Sequence, residues 1–201
     1  MVTADLVQFF ERVRARTEAA QPELDRLDAI AGDGDHGVTM VMGWRAVCVA
    51  LERARPDFPG DALRVAAEAF ADVGGSAGPL WGTALLRAGR AVGDAAELDV
   101  DSLARAASAA VQGMKDRGRC EEGDRTVVDA MAPAAAALEQ AARDGVALED
   151  ARGLAAEAAD AGAAATAELV PRKGRAARAP DRVRGHEDPG ARAAAVFWAS
   201  F

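Results

Sequence analysis

The chain contains no tyrosine, only 4% aromatic residues and only two cysteines in 201 residues. Scarce aromatics, beside an apolar half to which alanine contributes much, argue against a β-sandwich and for closely packed helices. Cys48 lies in an apolar run and reads as core, whereas Cys120 sits in a charged loop and reads as an exposed thiol. Two such distant cysteines argue against a disulfide framework and fit a reducing cytoplasm. Positive charge is also short. A formal net charge of −8 argues against a general nucleic-acid binder, which needs a basic patch or stripe. No apolar run reaches the roughly 18 residues of a membrane span. The start, Met1 to Asp5, lacks the basic-then-apolar pattern of a signal peptide. The length suits one domain with a sizeable core, expected to be residues 1–201.

Apolar periodicity, caps and breakers predict eight helices and no strand. The first runs from about Thr3 to Ala20, with Leu6, Phe9, Phe10 and Val13 on one face. The second covers about Val38 to Arg53, with Met42, Ala46, Val49 and Ala50. The third and fourth cover about Asp61–Val73 and Leu80–Val92. The fifth reaches about Arg117 and is capped by Asp101 or Ser102. The remaining three span about Thr126–Arg143, Leu148–Val170 and Gly190–Ser200.

Four of the seven connections are dense in glycine, polar and charged residues: Asp28–Gly37, Gly74–Pro79, Gly118–Thr126 and Arg172–Gly190. They join helices one to two, three to four, five to six and seven to eight. In an up-and-down antiparallel bundle, alternate loops lie at the same end. All four chemically loaded loops are therefore expected on one rim of an all-α, eight-helix antiparallel barrel or bundle.

Each loop offers a different chemistry. Asp28, Asp33 and Asp35 repel one another unless cations compensate, and Mg²⁺ takes hard oxygen ligands of this kind. Two such ions sharing carboxylates can bridge ATP phosphates. The bland reading is a solvated turn, because Asp-Gly is ordinary turn chemistry. An EF-hand pattern fails at Gly37, where Asp or Asn is expected, and lacks the Glu at its twelfth position. His36 and His186, the two histidines, both fall in loaded loops beside carboxylates. Gly74-Gly75-Ser76-Ala77-Gly78-Pro79 leads into a helix, where backbone N–H groups and the helix N-terminus favour an anion. Thr126 offers a hydroxyl or a cap. Arg175 lies in a basic run and can hold phosphate bidentately. Trp44, Phe197 and Trp198 read as core, and Trp81 beside the glycine turn is the candidate exception.

Gly32-Asp33-Gly34-Asp35-His36-Gly37, Gly74-Gly75 with Gly78-Pro79-Leu80 and Gly82-Thr83, Gly123-Asp124-Arg125-Thr126, and Lys173-Gly174-Arg175-Ala176 with Gly185-His186 and Asp188-Pro189-Gly190-Ala191 together resemble the L subunit of dihydroxyacetone kinase. The resemblance covers nearly the whole chain, in order and spacing. It implies a helical barrel holding ADP or ATP and two Mg²⁺ ions at one rim. Asp28, Asp33 and Asp35 correspond to the metal ligands and, with Arg175, to the phosphoryl-transfer machinery. His36, Gly37, Val38, Thr39, Gly75, Ser76, Ala77, Gly118, Thr126, Val127, Arg175, Asp188, Pro189 and Gly190 correspond to nucleotide contacts. It further implies a separate K subunit that holds dihydroxyacetone and an M subunit of the phosphotransferase system that rephosphorylates bound ADP. A homodimer is a further expectation; a nucleic-acid or membrane partner is not expected.

This sequence departs from the family pattern twice. Ser76 and Ala77 stand in the opposite order to the usual Ala-Ser, which displaces a hydroxyl by one residue. Ala177-Arg178-Ala179-Pro180 replaces the usual Ser-Tyr-Leu-Gly, so that loop is expected to close differently. The expected function is a nucleotide-carrying phosphotransfer subunit. A kinase subunit for another small ketose or polyol, and a regulatory or scaffold module without turnover, are the alternatives.

Overall fold

The computed structural model describes all of residues 1–201, and every regular element in it is helical. These are α1 (Thr3–Asp28), α2 (His36–Ala54), α3 (Pro59–Ala71), α4 (Ala77–Val92), α5 (Val100–Gly118), α6 (Val128–Arg143), α7 (Leu148–Ala165), α8 (Pro180–Val183) and α9 (Pro189–Trp198). Consecutive long helices pack side by side, and α9 lies against both α7 and α1, closing the series into a ring. The eight long helices are those expected. The single turn α8 is an addition inside the last loop, too short to show a periodicity.

Several boundaries differ from the sequence reading, for physical reasons. The first helix does not stop near Ala20 but runs through Pro22 to Asp28. Proline costs a helix one N–H bond, yet Leu24 and Leu27 on the following turns are buried and hold them in place. Asp28 is therefore the end of a helix rather than part of a free loop. The fourth helix begins at Ala77 and takes Pro79 into its first turn, where a missing N–H is harmless. Asp99, not Asp101 or Ser102, caps α5: its carboxylate accepts the Ser102 N–H at 2.8 Å. The seventh helix ends at Ala165 in a 3₁₀ turn, Thr166–Glu168, instead of reaching Val170. On α2, the buried face is Met40, Val41, Trp44, Val47 and Leu51, while Met42 and Val49 are exposed.

All three tryptophans and every phenylalanine except Phe58 form one aromatic cluster inside the ring. Trp44 stacks on Phe197 and meets Trp81 edge-on at 5.1 Å, a geometry the ring quadrupoles favour. Trp81 is thus core, although its edge reaches the rim. Elsewhere small residues set the spacing. Ala151, Ala155, Ala159 and Ala163 repeat every fourth residue on α7 and are fully buried, so α7 approaches its neighbours closely. No helix is long and apolar enough to cross a membrane.

Candidate functional site

The α1–α2 junction is built around carboxylates. Asp28, ending α1, accepts the N–H of Gly34 at 2.8 Å and that of Asp35 at 3.2 Å through Oδ2. Gly34 adopts φ +78°, which the tight return requires and a side chain disfavours. A Cβ at Gly32 would collide with the Asp28 carboxylate. Folded this way, the loop brings one carboxylate oxygen each from Asp28, Asp33 and Asp35 within 4.8 Å of one another. The result is an electrostatic conflict. Arg175 pairs with Asp33 and holds its carboxyl below the ordinary range, while burial and then Asp33 push Asp35 upward. A hard divalent cation would relieve that repulsion, so the oxygen-only donor set fits Mg²⁺.

A cleft of about 740 Å³ opens beside this cluster. All four loaded loops line it: Asp28, Ala31–Asp33, Asp35, His36 and Thr39, Gly74–Ala77 with Pro79, Gly118 with Cys120, Arg125, Thr126 and Val127, and Lys173–Ala176 with Asp188–Gly190. Four alternate connections thus meet at one rim of the ring. The N–H groups of Gly75, Ser76 and Ala77 have no acceptor in the chain's backbone, and the Ser76 hydroxyl makes no cap bond. They are available, at a helix N-terminus, to an anion. His36 opens α2; its buried Nε2 has no partner, and burial lowers its pKa against the pull of Asp28 and Asp25.

The far wall rests on Asp129 and Asp188. Asp129 accepts the N–H groups of Gly123 and Thr126, pinning the turn before α6. Asp188 caps α9 by accepting the Ala191 N–H at 2.9 Å and lies 3.7 Å from the Arg125 guanidinium.

The family model described as the DAK2 domain matches residues 30–201. The chain belongs to the DAK2 domain family. An L-erythrulose kinase of Pectobacterium atrosepticum is 39% identical over 84% of the chain, the match covering 29% of that protein. The ADP-binding subunit DhaL of a PEP-dependent dihydroxyacetone kinase from Listeria innocua is 33% identical over 96% of the chain and 90% of its own length. The dihydroxyacetone kinase of C. freundii, solved with AMP-PNP and Mg²⁺, superimposes with a TM-score of 0.76 at 27% identity, covering 100% of this chain and 34% of that one. The chain thus spans about a third of the erythrulose kinases and the solved kinase it matches, and nearly all of the DhaL subunit.

Within this DAK2 domain, most of the residues singled out in the sequence line the cleft. Gly37 and Val38 do not: their N–H groups are taken by Asp25, and a Gly37 side chain would strike the Gln21 carbonyl of α1. His186 also stays outside, giving only its carbonyl to Arg125. The Asp188 carboxylate lines the cleft but is already committed to a cap and an ion pair. Sequence reasoning missed Asp25, which lies three residues, about one helical turn, before Asp28, and gave Arg125 no role beyond its place in the Gly123–Thr126 motif, since no local pattern signals its burial.

Proposed function

We propose that the chain is the Mg-nucleotide subunit of a kinase for a short ketose: it holds ATP, supplied as such or formed by phosphorylation of bound ADP, and presents its γ-phosphoryl group for transfer to dihydroxyacetone on a separate K subunit, leaving ADP bound. One observation carries this reading: Asp28, Asp33 and Asp35, the free N–H groups of Gly75–Ala77, and Arg175 share a single cleft. Asp28, Asp33 and Asp35 would hold the metal, as two ions sharing carboxylates, and the metal when bound supplies charge neutralisation at phosphate oxygens. The Gly75-Ser76-Ala77 backbone binds phosphate oxygens at the start of α4. Arg175 neutralises charge on the moving group, a task that suits its planar, permanently charged fork. His36, Thr39, Gly118, Thr126, Val127, Pro189 and Gly190 flank the nucleotide.

The near-full-length similarity to a DhaL subunit supports a chain that works with separate K-type and M-type partners. Purified chain mixed with K and M subunits, dihydroxyacetone, phosphoenolpyruvate and the general phosphotransferase proteins that pass its phosphoryl group to M should form dihydroxyacetone phosphate only when this chain and ADP are both present. Nucleotide binding without transfer to any ketose would leave a regulatory module instead. The 39% identity to an L-erythrulose kinase favours a second reading, a four-carbon ketose as acceptor. Erythrulose in place of dihydroxyacetone in the same assay, with K subunits of each type, separates the two.

A further inference from the structure

Arg125 is the one buried cation of the chain, 2% exposed, and its backbone lies in the left-handed region at φ +62°. Its guanidinium donates to the carbonyls of His186 at 2.7 Å and Val183 at 3.4 Å and faces Asp188 at 3.7 Å. The adjacent Asp124 carbonyl accepts the Arg172 N–H at 3.1 Å. Residues 172–188 are therefore fastened at both ends to the two-residue step 124–125. Between the fastenings lie Lys173, Gly174, Arg175 and Ala176, all on the cleft wall, which Val183 at the second fastening also lines. Besides the Asp188 cap of α9, the strap's other ties are Gly185 N–H to Ala167 carbonyl, Asp188 N–H to the Thr166 hydroxyl, Arg192 donating twice to the Glu187 carboxylate, the long Arg172–Asp124 pair at 3.9 Å and the exposed Arg175–Asp33 pair.

We propose that Arg125 is a positioning residue that latches this strap over the cleft and so places Arg175 and the Asp188–Gly190 turn against the nucleotide. The proposal rests on the nucleotide reading above. A guanidinium can serve two carbonyls and a carboxylate at once because its donors lie in a fixed planar fork, whereas a lysine presents one compact charge. Arg125 makes no contact that requires ligand, so the latch exists before binding.

The test compares wild type, Arg125→Lys and Arg125→Gln by hydrogen exchange without nucleotide and by calorimetry with Mg-ADP. With the latch cut, Arg125→Gln should keep its helical circular dichroism and exchange at least about tenfold faster in residues 172–187 alone. It should bind Mg-ADP at least about tenfold more weakly, roughly 1.4 kcal/mol. Arg125→Lys, which keeps the charge and the backbone shape, should fall between and serves alone if the glutamine variant does not fold. Unchanged exchange in the strap, exchange raised equally in all helices, or a loosened strap with unchanged affinity would each overturn the latch. Failure of wild type to bind Mg-ADP would instead overturn the nucleotide reading, and the exchange comparison would still judge whether Arg125 holds the strap.

Discussion

Asp25, on the last turn of α1, accepts the N–H of Gly37 at 2.7 Å and that of Val38 at 3.2 Å, and so caps α2 from a neighbouring helix. Asp35 occupies the N-cap position of α2 but makes no side-chain cap bond. Delegating the cap to Asp25 leaves the Asp35 carboxylate to the cluster with Asp28 and Asp33. Asp25→Ala should therefore cost about 1–2 kcal/mol of stability, as lost caps do, and weaken Mg-nucleotide binding although Asp25 does not line the cleft. Thermal unfolding and calorimetry on the same variant check both halves; an unchanged melting temperature would contradict the cap.

Gly37 marks where α1 and α2 touch. An alanine there would place Cβ 2.5 Å from the Gln21 carbonyl oxygen and 2.8 Å from Asp25 Oδ1. Backbone cannot yield cheaply, so Gly37→Ala should destabilise by about 1–3 kcal/mol. Denaturant unfolding with an unchanged slope should report it as a lowered midpoint. Gly153, on the open side of α7, has no neighbour within 4 Å. Gly153→Ala should be neutral or stabilising by up to about 1 kcal/mol.

Burial pushes the Asp188 carboxyl up to about 6, while the Ala191 N–H and then Arg125 pull it back. A carboxyl whose native value exceeds its unfolded value of about 4 holds its proton more tightly when folded. Its contribution to stability is therefore full below about pH 4 and is lost as pH rises through 6, by on the order of 2–3 kcal/mol. Asp188→Asn, which retains capping ability, should flatten that part of the stability–pH curve between pH 4 and 7. A variant curve parallel to wild type would contradict the assignment.

Neither thiol should be reactive in the native protein. Burial pushes Cys48 up to about 12, and its S–H lies 3.6 Å from the Phe10 carbonyl; burial also raises Cys120. A thiol-disulfide dye at pH 8 should label neither within minutes and both after denaturation, since only thiolate reacts. Rapid native labelling of Cys120 would restore the reading of it as an exposed thiol.

The rim was legible in the sequence because it depends on counting: strong breakers separate eight periodic segments, and alternate connections must share an end. The carboxylate cluster was legible only in company: three aspartates among glycines also make an ordinary solvated turn, and it is their place on a rim with three other loaded loops that points to a metal site. What escaped depends on distant packing. Pro22 is an ordinary helix stop until Leu24 and Leu27 find partners in the core, and with that stop misplaced Asp25 had no visible role. Cys120 was misplaced for a related reason: it is buried where the turn after α5 folds inward, while Cys48 packs against the core but is only half-buried. Met42, Ala46, Val49 and Ala50 form a plausible apolar stripe in the sequence, but Trp44, stacked on Phe10 and Phe197, fixes the helix rotation and leaves Met42 and Val49 exposed. Arg125 sits in a turn whose sequence looks polar and solvated, and only the return of residues 183–188 reveals that it is enclosed.

The central claim is that Asp28, Asp33 and Asp35 make the cleft a magnesium-dependent nucleotide site. Calorimetric titration of ADP into wild type and Asp33→Ala, with Mg²⁺ and with chelator, tests it most directly. Wild type should bind ADP with Mg²⁺, and both chelator and Asp33→Ala should weaken binding by at least about tenfold, roughly 1.4 kcal/mol. Equal affinity with and without Mg²⁺, or in the variant, would contradict it.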